Sequence, residues 1–452
     1  MSPKRKDSAD LPEGVVMEPG KKSALRLAAL VMFVLAYWYT KAILFGSDWA
    51  MGSWQPLAFA AAFLAFLAWL TRRAPAAPEE ARRADGRTSA GIAACLLLQS
   101  VAFGVFPVHD DLMGVFQVLL WHATAVFAVL AAAGMLAENK LGLLYPADAV
   151  NGTVRIPFRN LFLRARILYG RWDRKEPEKQ EGRRSRAAAV AVPLLTAVIA
   201  VILALFAAAQ LSAASTSFAA IGDRLSDFFG TFSMDRFLTD VLPYLILSIP
   251  VGAYLYGLVA GCLTESPKAL TRTSWERGTR PLRIFPEASW NLILGALLAV
   301  YALFFALAGG WSEIFDLAQF SAGEACGSAV SGFWQLVRVM CLNFGILFAS
   351  TVFAGHPLWE QKRGRKLAAA LLVFGLGFGF LAFWKLFVLY IGLFGPTPRR
   401  VFAGWVLCVL LFWDALGLLR LQKRFPASTV GIWGALISFT ILNLVPIEAL
   451  CR

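Results

Sequence analysis

Apolar runs of near-membrane length recur along this chain, separated by polar connections. They cover 24–45, 55–71, 90–107, 112–137, 187–211, 241–262, 289–309, 331–354, 367–394, 401–419 and 427–447. A helix needs about 20 apolar residues to cross a ~30 Å hydrocarbon layer. The pattern therefore predicts about eleven transmembrane helices. The runs are continuous and do not alternate in polarity, which selects helices over barrel strands. The expected fold class is all-α, a polytopic transmembrane helix bundle.

Composition strengthens this expectation. Of 452 residues, 58% are hydrophobic and 16% charged, too apolar for an ordinary soluble domain. Basic residues then orient the bundle. Thirty-five of the 43 Lys and Arg fall on 1–26, 72–89, 138–186, 263–288, 355–366 and 420–426. Arg224, Arg236, Arg399, Arg400 and Arg452 fall on the opposite side, and Lys41, Arg338 and Lys385 lie within runs. The positive-inside rule then places the N-terminus inside and the C-terminus outside. It also accounts for the net charge of +14. Spread over six short segments, that charge suits anionic lipid headgroups rather than nucleic acid. The first run is longer than a signal-peptide core and lacks a small-residue cleavage pattern, so a retained anchor is expected.

Run spacing divides the chain into a cytosolic leader (1–23), four helices (24–137) and a basic cytosolic loop (138–186). Two helices with an outer amphipathic segment (187–262), a second cytosolic loop (263–288) and five helices (289–452) follow. Within the first loop, 157–172 predicts a basic amphipathic helix starting at Pro157. Phe158, Leu161, Phe162, Ala165, Leu168, Tyr169 and Trp172 share one face, while Arg159, Arg164, Arg166 and Arg171 lie on other sides. Such a helix lies in the headgroup plane; docking of a protein partner at 138–186 is the alternative. Residues 215–240 carry a second amphipathic pattern, and 310–330 are apolar enough to re-enter the membrane under protein cover. Pro243, Pro250, Gly252 and Gly257 predict a kinked sixth helix. Gly375, Gly377 and Gly379 predict close helix approach, with a broken helix at a binding site as the sharper alternative.

Familiar catalytic motifs are absent. The chain has no GxxxxGK[ST], HExxH or GxSxG. With three histidines and no CxxC pair, neither a metal site nor a cofactor is expected. Cys326 and Cys451 are both placed outside, as a bridge or as two separate thiols. What remains is polarity inside the spans, where an ionisable group costs about 2.5–3.5 kcal/mol and marks a candidate site. Arg338 and Lys385 fall in the outer half of their helices, with Asn343 deeper and Asn443 near an outer end. With Glu324, Arg399 and Arg400 they define a candidate outward-facing site for an anionic or zwitterionic ligand. Internal neutralisation or snorkelling is the alternative. Asp414 and His122 are candidates for proton-linked roles; an interfacial acid and a hydrogen-bonded bundle histidine are the simpler alternatives.

The stretch KLFVLYIGLFGPTPRRVFAGW (385–405) carries a signature through Lys385, Tyr390, Ile391, Phe394, Gly395, Thr397, Pro398, Arg400, Val401 and Trp405. It resembles that of the domain-of-unknown-function 4153 family of bacterial polytopic membrane proteins. Relative to that signature, one extra residue stands between Lys385 and Tyr390. Gly332, Phe333, Leu336 and Asn343 resemble the family's Gly-Phe stretch, although Val330 stands where an Arg is usual. The resemblance spans about 289–452 and implies a bacterial plasma-membrane location without implying a reaction. Cations inside the spans of a many-helix bundle make a permease-like function the expectation, with a membrane sensor or scaffold, or an envelope enzyme on a lipid-linked substrate, as alternatives.

Overall fold

The computed structural model describes residues 19–46, 53–75, 79–106, 111–169, 241–265, 272–308, 322–356 and 358–451. Among these the chain is mostly helical and contains no strand. The helices are α1 (Pro19–Trp38), α2 (Gln55–Arg73), α3 (Glu79–Val105), α4 (Asp111–Ala132), α5 (Tyr145–Val150), α6 (Ile156–Arg159), α7 (Leu163–Leu168) and α8 (Leu242–Glu265). After these come α9 (Arg272–Thr279), α10 (Glu287–Leu303), α11 (Ala322–Phe353), α12 (Lys362–Phe383), α13 (Gly392–Phe394), α14 (Pro398–Gln422), α15 (Ala427–Asn443) and α16 (Ile447–Leu450). Wider π segments extend α1 (Tyr39–Leu44), α10 (Phe304–Ala308) and α12 (Trp384–Ile391).

Nine helices among the described residues are long and apolar enough to cross a membrane, and α15 is a shorter apolar helix. The multi-pass all-α bundle expected from the runs is thus present. The predicted run at 187–211, the segment 215–240 and most of 310–330 lie outside the described residues.

The chain forms two compact units. The first comprises 1–45, 62–78 and 154–267; the second comprises 46–61, 79–153 and 268–452.

In the first unit α1 packs along α8, and α6 and α7 pack against that pair. Tyr256 of α8 donates to the Leu25 carbonyl of α1 at 2.8 Å. Lys21 donates to Leu263 O, at the C-terminal end of α8, at 3.0 Å, where a cation complements the helix dipole. The expected single helix over 157–172 is instead broken between α6 and α7. Asn160 ends α6 by folding its amide back onto Ile156 O at 2.9 Å, competition typical of Asn within a helix. The face packed against protein is not the aromatic one. Ile156, Pro157, Leu163, Arg164 and Ile167 are buried, whereas Phe158 and Phe162 are 60% and 70% exposed. Arg164 is therefore an interior residue: its Nε donates to Ala29 O at 3.2 Å. Its guanidinium lies 3.4 Å from the Phe33 ring centroid, a cation–π contact. Gly252, Gly257 and Gly261 of α8 make room for this segment, facing Arg164, the Pro157 carbonyl and Asn160.

In the second unit α3 pairs with α4, and α10, α11, α12 and α14 surround one apolar core. Leu294, Met340, Leu371, Ala382 and Leu407 are fully enclosed there. The chain leaves α4 through a tight turn with positive φ at Gly134, Glu138 and Asn139. Asp148 of α5 secures the turn. Both of its carboxyl oxygens accept from the Ala137 N–H at 3.2 Å.

Candidate functional site

The four helices around the core place their polar side chains in separate layers. One layer is set by Gly379 of α12, against which Leu411 of α14 and Met340 of α11 both pack. One helical turn further lie Asn343, Gly375 and Asp414, since α12 runs antiparallel to the other two. The Phe344 and Trp413 rings meet at this level, 5.8 Å apart. Tyr301 of α10 donates to Asn343 Oδ1 at 2.7 Å. Asn343 and Asp414 are both 0% exposed. Among the described residues, Asn343 Nδ2 and both Asp414 carboxyl oxygens lack hydrogen-bond partners. Gly375 is what admits the carboxyl group: a β-carbon there would stand 2.7 and 2.8 Å from its two oxygens. The three alternate glycines of α12 thus face three different neighbours, with Gly377 against Phe305.

A second layer forms where α12 opens into the π segment. Lys385 sits in this eight-residue segment, half-buried. Its side chain lies along Gly332 of α11, where a β-carbon would be 3.0 Å from Nζ. The extra residue between Lys385 and Tyr390 falls inside the π segment, whose wider turns absorb an insertion. Beyond it α13 ends at Gly395, which has φ 74, a conformation cheap only for glycine. Pro398 then starts α14, with Thr397 before it, as suits a first helical position. Arg400 clamps this break. Its Nη1 donates to Phe394 O at 2.9 Å and to Gly395 O, and its guanidinium lies 4.0 Å from the Tyr390 ring centroid. Lys385 thus lies near the start of the π segment, and Arg400 of α14 meets Tyr390 near its end.

The remaining predicted residues sit elsewhere. Arg338 and Arg399 are exposed. Asn443 is buried and accepts from Gln117 of α4 at 2.9 Å. His122 Nδ1 lies 2.7 Å from Val118 O, with the Trp121 ring edge-on at 4.9 Å. Glu324 belongs to α11, but its side chain lies outside the described residues, as does that of Cys326. Cys451 is a free thiol. Among the described residues no group of three His, Cys, Asp or Glu forms a metal site.

Charge-based sequence reasoning missed Tyr301, Gln117, Gln99 and Arg164. Gln99 donates to Thr440 at 3.0 Å, so it and Gln117 link α3 and α4 to α15. Amides inside apolar runs were the available signal, because each needs a partner in hydrocarbon.

No curated protein and no solved structure matches the chain. The family model described as Domain of unknown function (DUF4153) matches residues 93–451. That range extends well upstream of the 289–452 stretch carrying the resemblance and includes both polar layers. With most of its length matched, this multi-pass membrane chain belongs to the DUF4153 family.

Proposed function

We propose that the chain is a permease of the bacterial plasma membrane that takes a small anionic or zwitterionic solute at the π segment that carries Lys385 and meets Arg400. The observation that carries this reading is Lys385 itself, a cation half-buried within a span and seated against Gly332 in a π segment. Ionisable groups inside spans are costly and mark functional sites, and π segments concentrate at such sites. The connection at Gly395 adds the N-terminus of α14, whose helix dipole favours an anion.

The exposed aromatic face of α6 and α7 suits contact with lipid headgroups. Phe158 and Phe162 project there, flanked by exposed Arg155, Arg159 and Arg166. This is the pattern of an interfacial helix.

Uptake of labelled small carboxylates and amino acids into proteoliposomes tests the permease reading. Lys385→Ala is expected to reduce uptake at least tenfold with an unchanged thermal midpoint, and Lys385→Arg to retain part of it. A solute that stabilises the wild type should leave Lys385→Ala unshifted. Equal uptake by wild type and Lys385→Ala would remove the assignment, as would no uptake of any solute in either class.

A further inference from the structure

We propose that Asp414 is a proton-binding site, whose carboxyl group holds a proton in the packed helix pair and turns to the Asn343 amide when it releases it. Three observations carry this. First, the carboxyl group is enclosed: Asp414 is 0% exposed and faces the backbone of α12 at Gly375. Second, neither oxygen has a hydrogen-bond partner among the described residues. A bare carboxylate in such surroundings is strongly disfavoured, whereas the protonated acid is neutral. A proton also needs no added room beside Gly375, while a metal cation would need about six oxygen ligands. Third, a buried unpartnered donor lies at the same level of the bundle. Asn343 Nδ2 is enclosed and unpartnered in the same layer, and its amide is held from the other end by Tyr301.

The step balances simply. The O–H bond of the acid breaks, the proton leaves to water, and the carboxylate gains an N–H···O bond from Asn343. The two groups are not bonded in the packed state, so proton release is tied to the movement that brings them together.

Charges on the packed elements lie at a distance. On α12, Lys362, Arg363, Arg365 and Lys366 precede Gly375 by nine or more residues, about 13 Å along the axis. Lys385 and Tyr390 lie at least ten residues beyond it. Arg338 and Cys341 of α11 are exposed. On α4, Asp111 and His122 flank Phe116, which stacks on Phe402, three turns from Asp414. The α15 helix has no titratable residue, α16 has Glu448, and α14 itself has Arg399, Arg400, Cys408 and Arg420. None of them forms an ion pair with Asp414 among the described residues.

As a coupling site for solute movement Asp414 rests on the permease reading; as a proton site it stands alone. Infrared spectroscopy on reconstituted protein separates the two. Aspartate is labelled with carbon-13 at the side-chain carboxyl, and Asp148→Asn is the background because Asp148 is also enclosed. Asp414 is the aspartate that falls inside an apolar run. At pH 7 an isotope-shifted carboxylic-acid band is expected, and Asp414→Asn should abolish it. Asn343→Leu should keep the band at alkaline pH where the parent has lost it. No such band at pH 7 in the parent overturns the proposal whether or not Asp414→Asn folds. Identical loss of the band with and without Asn343 overturns the pairing. A titrating band without solute uptake would count against the permease reading alone.

Discussion

Gly257→Ala is expected to destabilise the first unit by at least about 2 kcal/mol, the scale of overpacking a close-packed interior. Gly257 lies on α8 where the α6 segment crosses it. A β-carbon there would stand 2.7 Å from the Pro157 carbonyl oxygen and 3.1 Å from that of Asn160. Both obstacles are backbone, so no rotamer change relieves them. The segment would have to lift, and the burial of Ile156, Leu163 and Ile167 would loosen with it. The contrast with Gly252 is informative. A β-carbon there meets Arg164 Nη1 at 2.5 Å and Ala36 Cβ at 3.0 Å; the nearer obstacle is the end of a long side chain and neither is backbone, so Gly252→Ala should cost less. Gly295 of α10 is a neutral control, with nothing within 4 Å of an added β-carbon. Thermal midpoints in one detergent check the series. The packing argument fails if Gly257→Ala melts with Gly295→Ala.

Asp148 is expected to make stability fall as pH rises from about 4 to about 7. Burial pushes its carboxyl up from 3.8 to about 7, partly opposed by the hydrogen bond from the Ala137 N–H. Because the folded form binds the proton more tightly than the unfolded one, the extra stability is present at low pH. It is lost as the unfolded chain ionises first, and the loss is complete above the folded value. A shift of about three units corresponds to about 4 kcal/mol at most. Asp148→Asn removes the titration while keeping an acceptor for Ala137. The variant should therefore melt at a nearly constant temperature across this window, while the wild type loses stability. A wild type whose midpoint is flat between pH 4 and 7, or a variant with the same slope, would contradict the assignment.

The arrangement of the loop after α4 shows where sequence reasoning reaches its limit. The 157–172 stretch was legible as helical and amphipathic because its apolar residues recur at helical spacing. Which face would be buried was not legible. Periodicity identifies a face without saying whether protein or lipid covers it, and in a membrane both covers are apolar. Here protein covers the Ile156, Leu163 and Ile167 side, and Arg164 goes in with it because Phe33 and the Ala29 carbonyl are there to receive the guanidinium. The predicted polar layer divided for a related reason. Arg338, Asn343 and Lys385 lie at readable depths along their helices, but depth says nothing about rotation. Rotation turned Arg338 outward, joined Asn343 to Tyr301 and laid Lys385 along Gly332.

By itself the sequence determined the class, the helices and the family. Continuous apolar runs have one stable backbone form in hydrocarbon, because every N–H and C=O must be paired within the segment. The glycines of α12 likewise announced close approach, since only a missing side chain allows it, whereas those of α8 had predicted a kink. Tertiary structure alone decided what approaches each of them: Asp414 at Gly375, Leu411 at Gly379, and the α6 backbone at Gly257. It also decided which polar groups are satisfied, as with Asn443 and Gln117, and which are left facing apolar surroundings, as with Asp414. Such pairings join residues tens to hundreds of positions apart, and they depend on helix rotation and register, which packing of the whole bundle sets.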